Sequence, residues 1–479
     1  MVESSPVRAA ARVANVVLVG AALACAAALS YVFYHYGWTH QRVFTSPLGP
    51  VLFYGVPGAL TSLFLAALRL PSAPRVRAAF IVVSTSLSVY AVDAVLALTT
   101  VDPRVRLARS AGLSFDARSK LDVVRELERQ GIAAAVDVYP RPLLRRRTDG
   151  TLGSIVMLHG IEALPLGGIA DKATVLCNEG GEYVVYRSDR HGFHNPSSAW
   201  DGDVDVAVVG DSFAAGYCVA PDDGFVEEIR ARHPGTLNVA KTGNGPLIEL
   251  ASLKEYVAPL RPRLVLWFYF EGNDLQDLAF ERDSPLLRAY LHQDRIQNLV
   301  REQAAIDEAL AAFAEDRERE MTAAGRRDML SSVIKLSHLR SRLRLDAGDY
   351  QQTPAEAGVV ADEVLELLGD VLADASGRTA DWGGQLYFVY LPSRERFEAV
   401  RTGPGAPGVS LPELDRQRHD VLARARATAS AVIDVTPVFE HHDDPLSLFP
   451  FRQGVHYNEE GNGLVAGTVL RALAPRPSF

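Results

Sequence analysis

The sequence predicts an α/β protein: a doubly wound parallel sheet of about five strands with a helical insertion, preceded by three transmembrane helices. Three observations carry this reading. Short apolar segments alternate with helical patterns through the C-terminal half. One of them, Leu264–Phe270 ("LVLWFYF"), is apolar throughout. Residues 1–100 contain three long stretches with almost no charge.

The strand candidates are Val204–Val209, Leu237–Ala240, Leu264–Phe270, Leu386–Leu391 and Ala431–Val435, all rich in β-branched and aromatic residues. Between them lie helical patterns at Gly224–Arg232, Leu247–Leu260, about 285–373 and Leu411–Ser430. Strands that alternate with helices form parallel βαβ units. A continuously apolar strand fits the centre of a sheet covered on both faces. Ligands of such sheets bind beyond the carboxyl ends of the strands. The stretch at about 280–380 is too long for a plain crossover and reads as a helical insertion. It is either a cap over the site or a packing appendage.

The membrane candidates are Val13–Tyr34 and Leu48–Leu68, both uncharged, and Ala78–Leu98, which carries only Asp93. Each is long enough to cross a hydrocarbon core of ~30 Å as a helix. Asp93 is expected near the interface. Arg8 and Arg12 in the tail and Arg69, Arg75 and Arg77 in the second loop place those segments inside. Everything after Leu98 is then outside, which in a bacterium is the periplasm or cell surface. The expected organisation is a membrane region at 1–100, a connector and accessory region at 101–200, and the α/β domain at 201–479.

Net charge is −9, with 22% charged residues, and no basic face is evident. This excludes nucleic acid as the expected partner. The three cysteines are Cys25, Cys177 and Cys218. Cys177 and Cys218 can pair if the domain is exported, but two cysteines do not make a disulfide framework. In the accessory region, Phe115–Gln130 has the spacing of an amphipathic helix. The loop "YRSDRHGFHNP" (Tyr186–Pro196) holds two histidines and reads as structural or substrate-adjacent rather than metal-binding.

Four blocks bear chemistry. "GDSF" (Gly210–Phe213) follows the first strand, and "NVAKTGNG" (Asn238–Gly245) overlaps the end of the second. "EGNDL" (Glu271–Leu275) follows the third, and "GVHYNEEGN" (Gly454–Asn462) follows the last. A serine hydroxyl needs a base, usually histidine, and donors for the oxyanion of a tetrahedral intermediate. These blocks, in this order, resemble the SGNH or GDSL hydrolase superfamily over roughly Val204–Leu473. The resemblance implies a flavodoxin-like sheet and ester chemistry. It implies Ser212 as nucleophile and His456 as base. The oxyanion donors would be the backbone N–H groups of Ser212 and Gly243 and the amide of Asn273. Asp211 is expected to hold the turn and Phe213 to pack.

The chain departs from that pattern at one place. The position of the usual catalytic acid, three before His456, is Gln453. Glu440, Asp443 or Asp444 in the preceding loop are substitutes, and a Ser–His dyad is another outcome. The leading expectation is a membrane-anchored serine esterase that removes O-acyl groups, chiefly acetyl, from envelope polysaccharide, without cofactor or metal. Its partners would be an acylated carbohydrate or other ester and the lipid bilayer. Two alternatives stand: an O-acetyltransferase fed by a membrane acyl-transfer partner, and a glycan-binding or scaffolding module.

Overall fold

A computed structural model of the 479-residue chain describes residues 5–34, 49–99, 103–110, 112–292, 295–343, 354–403 and 410–474. It divides into two compact units, residues 1–101 with 320–354, and residues 102–319 with 355–479.

In the first unit the helices Ser5–Val32 and Ser72–Thr99 are long and apolar enough to cross a bilayer. Their mean hydropathies reach 2.1 and 1.9. Val16, Leu23, Phe80, Leu87 and Leu98 are exposed along them. The expected third span, Leu48–Leu68, does not form such a helix, and Leu48 lies outside the described residues. A five-residue π turn, Val51–Gly55, leads into a twelve-residue helix, Val56–Ala67. Pro57 lacks the N–H that would continue one regular ladder across the junction. At ~1.5 Å per residue the two pieces fall short of a ~30 Å core. Among the described residues two helices, not three, therefore meet the length of a membrane span. All three pieces pack together through Ala14, Leu18, Ala67 and Ala79, with Phe64 and Val76 around them. Beside this cluster Arg75 Nη1 donates to Asn15 Oδ1 at 3.0 Å.

Asp93 is buried within the protein. Its Oδ1 accepts the Leu339 N–H at 2.8 Å, within the short helix Ser337–Arg342 of the insertion. The insertion is thus divided. Its flanks lie in the second unit, and residues 320–343 lie with the apolar helices.

The second unit is built on a five-stranded parallel sheet. Its strands are β1 (Val206–Val209), β2 (Thr236–Asn238), β3 (Leu264–Phe270), β4 (Gln385–Leu391) and β5 (Ala431–Asp434). Their spatial order is β2-β1-β3-β4-β5. This is a doubly wound order with its switch point between β1 and β3. Alternation along β3 explains why every residue of it is apolar. Val265, Trp267 and Tyr269 face one core with Leu247, Leu250, Leu368 and Val421. Leu266, Phe268 and Phe270 face the other with Phe225, Ile229, Val465 and Val469. Successive side chains of a strand point to opposite faces, so a strand covered twice has no polar position.

Residues 112–200 pack into the same unit as the sheet. The helix expected at Phe115–Gln130 runs from Lys120 to Arg129, because Ser119 and Asp122 form a capping box that fixes its start. The rest is short strands. Ala134–Val136, Ala173–Val175 and Val185–Arg187 form a small mixed sheet, and two hairpins lie between the first and second of these. Two polar ties fasten the segment to the large sheet. The buried pair Lys241–Asp137 closes at 2.6 Å. Asn195 Oδ1 accepts the Asn238 N–H at 2.8 Å, and its Nδ2 donates to the Asn238 carbonyl at 2.7 Å.

Candidate active site

Strand β1 ends at Val209, and the chain turns sharply through Gly210. A Cβ there would lie 2.9 Å from the Ala214 side chain, so the turn requires glycine. Asp211 Oδ1 accepts the Phe213 N–H at 2.9 Å and holds the turn. Burial pushes the Asp211 carboxyl up to about 6. Phe213 stacks on Phe270 at 3.9 Å between ring centres. Between them Ser212 projects from the sheet edge at the switch point.

Ser212 Oγ lies 2.9 Å from His456 Nε2. His456 follows β5 and stands just ahead of the helix Glu459–Leu473, whose first turn is capped by Asn458. The other ring nitrogen, Nδ1, lies 3.0 Å from Glu179 Oε1. An ionised carboxylate only accepts, so Nδ1 carries the proton and Nε2 is free to accept from Ser212. Glu179 Oε2 accepts the N–H groups of Val455 at 3.0 Å and His456 at 3.1 Å. Burial by itself would raise the Glu179 carboxyl. The hydrogen bonds and charge of His456, with the Val455 N–H, outweigh burial and hold it below the usual glutamate range. Both Ser212 and His456 are only 8% exposed. Gly454 allows this approach, since a Cβ on it would meet Glu179 Oε2 at 3.1 Å.

The carboxylate bonded to the His456 ring is therefore that of Glu179, far upstream in sequence. Gln453 is exposed, and its N–H donates to Pro450 O at 3.0 Å. Phe451 and Arg452 both adopt left-handed backbone (φ 51° and 60°) just before it. Among the described residues Gln453 makes no contact with the imidazole. The other candidates are also elsewhere. Asp444 pairs with Arg452, Glu440 lies 4.0 Å from Arg396, and Asp443 is exposed.

Gly243 sits in the loop after β2 with φ +66°. A Cβ there would come within 3.2 Å of the Tyr139 ring and 3.8 Å of Arg141, so segment 112–200 also walls this side. Among the described residues, the N–H groups of Ser212 and Gly243 have no internal acceptor. The helix after this loop, Pro246–Ser252, is capped by Glu281. Its carboxylate accepts from Gly245 N at 2.6 Å and Leu247 N at 2.9 Å. Burial, opposed by these bonds, pushes Glu281 up to about 8.

Asn273 lies at the end of β3. Its Nδ2 donates to Asp277 Oδ2 at 2.7 Å and also bonds towards Asp211. Asp277 is in turn paired with Arg141. The amide plane is thus held by neighbours from two segments.

Tyr217 leans over the His456 ring at 4.9 Å, and its hydroxyl accepts from Lys120 Nζ at 3.1 Å. Cys218 is bonded to Cys177. The ligand atoms of Glu179, Cys218 and His456 lie within 4.8 Å of one another. The sulfur is consumed in the disulfide, and Glu179 and His456 are bonded to each other, so a metal there would have to break both. The two loop histidines are structural. His191 packs edge-on against Trp200, and His194 Nδ1 lies 3.1 Å from Ala215 O.

Sequence reasoning placed Ser212, Gly243, Asn273 and His456 at strand ends, and the structure brings them to one edge of the sheet. It missed Glu179. The signal available was "CNEGG" (Cys177–Gly181), an acid two residues after a cysteine able to pair with Cys218 beside the serine turn.

No known protein-family model matches the sequence, and no curated relative matches it. Among solved structures the chain is similar to LAE5, described as an alpha/beta hydrolase enzyme from the metagenome of Lake Arreo, at 14% identity. That match covers 56% of this chain and 93% of the other, with a TM-score of 0.30. It is likewise similar to the lipase/acylhydrolase from Enterococcus faecalis, at 12% identity over 57% of this chain and 99% of that one, TM-score 0.31. It is also similar to TesA, at 14% identity over 56% of this chain and 98% of that one, TM-score 0.30.

Proposed function

We propose that the chain is a membrane-anchored serine esterase that works through a Ser212–His456–Glu179 triad. The observation that carries this is the continuous hydrogen-bond chain from Ser212 Oγ through both imidazole nitrogens to the Glu179 carboxylate. In the first half-reaction His456 Nε2 takes the Ser212 proton as Oγ attacks the ester carbonyl. Glu179 stabilises the imidazolium that forms. The oxyanion is received by the N–H groups of Ser212 and Gly243, and the Asn273 amide becomes a third donor by turning one N–H from Asp211 or Asp277 towards it as the charge develops. His456 then returns the proton to the departing alcohol and leaves an acyl-Ser212. In the second half-reaction a water, deprotonated by His456, releases the acid and restores the serine.

Tyr139 stands against Gly243 and Tyr217 against the His456 ring, which favours a short acyl group such as acetyl. An acetylated envelope glycan fits an outward-facing domain. Three features support that orientation. Arg69, Arg75 and Arg77 precede or open the helix Ser72–Thr99 and place that end inside. The disulfide belongs to an oxidising compartment. The Asn15–Arg75 bond ties the early parts of the two long helices together, which sets those ends on one side.

The test is turnover of a chromogenic aryl acetate by the full-length protein in detergent. Ser212→Ala is expected to lower kcat by about 10^6-fold and to abolish labelling by a fluorophosphonate probe. Undiminished turnover would refute the nucleophile. Release of acetate from an acetylated polysaccharide, compared with the aryl ester, tests the substrate class.

A further inference from the structure

The Cys177–Cys218 disulfide is placed where it bears on the reaction. Cys177 lies two residues before Glu179, and Cys218 lies six residues after Ser212. The turn between Ser212 and Cys218 is closed by the Tyr217 N–H on the Ser212 carbonyl at 2.9 Å. Cys218 itself sits in left-handed backbone, φ +66°, which a non-glycine residue adopts only when its surroundings enforce it. A covalent path therefore runs from the nucleophile through the disulfide to the acid. It parallels the hydrogen-bond path through His456.

The remaining hold on the Glu179 loop is made of backbone bonds at its two ends, Leu176 N–H to Val184 O and Val184 N–H to Cys177 O, both at 2.9 Å, and Asp116 N–H to Gly181 O at 2.7 Å. Among the described residues there is no bond to the Glu179 backbone itself. The loop is also pinned by Asn178, whose Nδ2 donates to Asp116 O at 2.7 Å and whose Oδ1 accepts Gly181 N at 2.9 Å. Its apolar contacts form a small cluster of Leu176, Cys177, Tyr186 and Cys218, with Val184 and Tyr217 at its rim. This cluster is separate from the two large cores of the sheet. The acid must nevertheless be held to a fraction of an ångström, since small misplacements of catalytic groups cost much of the rate.

We infer that the Cys177–Cys218 disulfide is a positioning element of the active site, which holds Glu179 against His456. The inference rests on the triad reading above. Reduction by a dithiol, in which the two sulfurs take up two electrons and two protons while the dithiol closes to its own cyclic disulfide, would release the acid loop. A disulfide that served only global stability would act independently of Glu179.

A double-mutant cycle separates the two. Turnover of an aryl acetate is measured for the full-length wild type, Cys177→Ala/Cys218→Ala, Glu179→Gln, and the triple variant. Removing the disulfide is expected to lower kcat by about 30-fold in the wild type, with KM changed by less than about twofold. In the Glu179→Gln background the further loss is expected to be below about twofold. Equal losses in both backgrounds overturn the positioning role but leave the triad standing. A Glu179→Gln variant that keeps the wild-type kcat refutes the triad itself. If the cysteine variant does not fold, the unaltered protein is reduced with dithiothreitol below its melting temperature, with thiols counted. Loss of kcat that returns on reoxidation supports the inference, and unchanged kcat in fully reduced protein overturns it.

Discussion

The five-stranded sheet and the segment 112–200 serve one site by different physics. The sheet delivers residues by topology. Parallel strands end on one edge, and the switch point between β1 and β3 opens a crevice there. Ser212 and Asn273 flank that crevice because β1 and β3 are neighbours, not because of anything in their own side chains. The segment 112–200 has strands of two or three residues and no large core of its own. It delivers Tyr139 and Arg141 beside Val138, Leu143 and Leu144, which are buried in the sheet's own core, but it delivers Glu179 through attachments: a disulfide and a few side-chain bonds to backbone. A topological site tolerates most substitutions in its scaffold. A site held by attachments is sensitive at each of them.

That contrast can be broken at Glu179 first. Glu179→Gln is expected to lower kcat by about 10^4-fold, because the neutral amide can favour the wrong imidazole tautomer and cannot offset imidazolium charge. Steady-state kinetics at saturating ester checks it, and a loss below tenfold would mean that the sheet residues suffice. Next in size is Asp137→Ala. It leaves the Lys241 ammonium buried without its carboxylate, at a cost of about 3–5 kcal/mol. Chemical denaturation should show this as a lowered midpoint, although Asp137 lies outside the sheet. Asn273→Ala then tests a residue placed by topology. The expected loss is about 10^2–10^3-fold in kcat with little change in KM, the signature of a donor used mainly in the transition state.

A smaller effect concerns pH. Glu281 is pushed up to about 8 in the folded chain, against an ordinary value of 4.5. Between those values the folded protein keeps a proton that the unfolded chain has released, so raising the pH through this window favours unfolding. Melting temperature should fall from about pH 4.5 to about pH 8 in the wild type, and this slope should shrink in Glu281→Gln. Smallest of all, Gln453→Ala should change kcat by less than about twofold, since an exposed side chain without contact to the ring contributes little.

Much of the sheet was legible. Leu264–Phe270 was expected and found with the same limits, because a doubly buried strand must be apolar at every position. Ser212, Gly243, Asn273 and His456 were legible because each follows a strand whose end is marked by a change from apolar to small or polar residues. The segment 112–200 was hardly legible. Strands of two or three residues are too short for a period of two to stand out. The middle apolar stretch near Pro57 misled for a related reason. Composition marks it as a span, but the backbone changes from π to α within it.

By itself, then, the sequence determined the order of the parallel βα units, the apolar faces and the place of Ser212 at a strand end, because local periodicity and strand ends write these directly into neighbouring residues. Only the tertiary structure decided which acid completes the site. Glu179 lies 277 residues from His456. Proximity across that distance is set by the Cys177–Cys218 bond, the Lys241–Asp137 pair and the left-handed turn at Phe451–Arg452 that carries Gln453 away. No local pattern encodes such a meeting, because the partners become neighbours only when two separately formed segments close on each other.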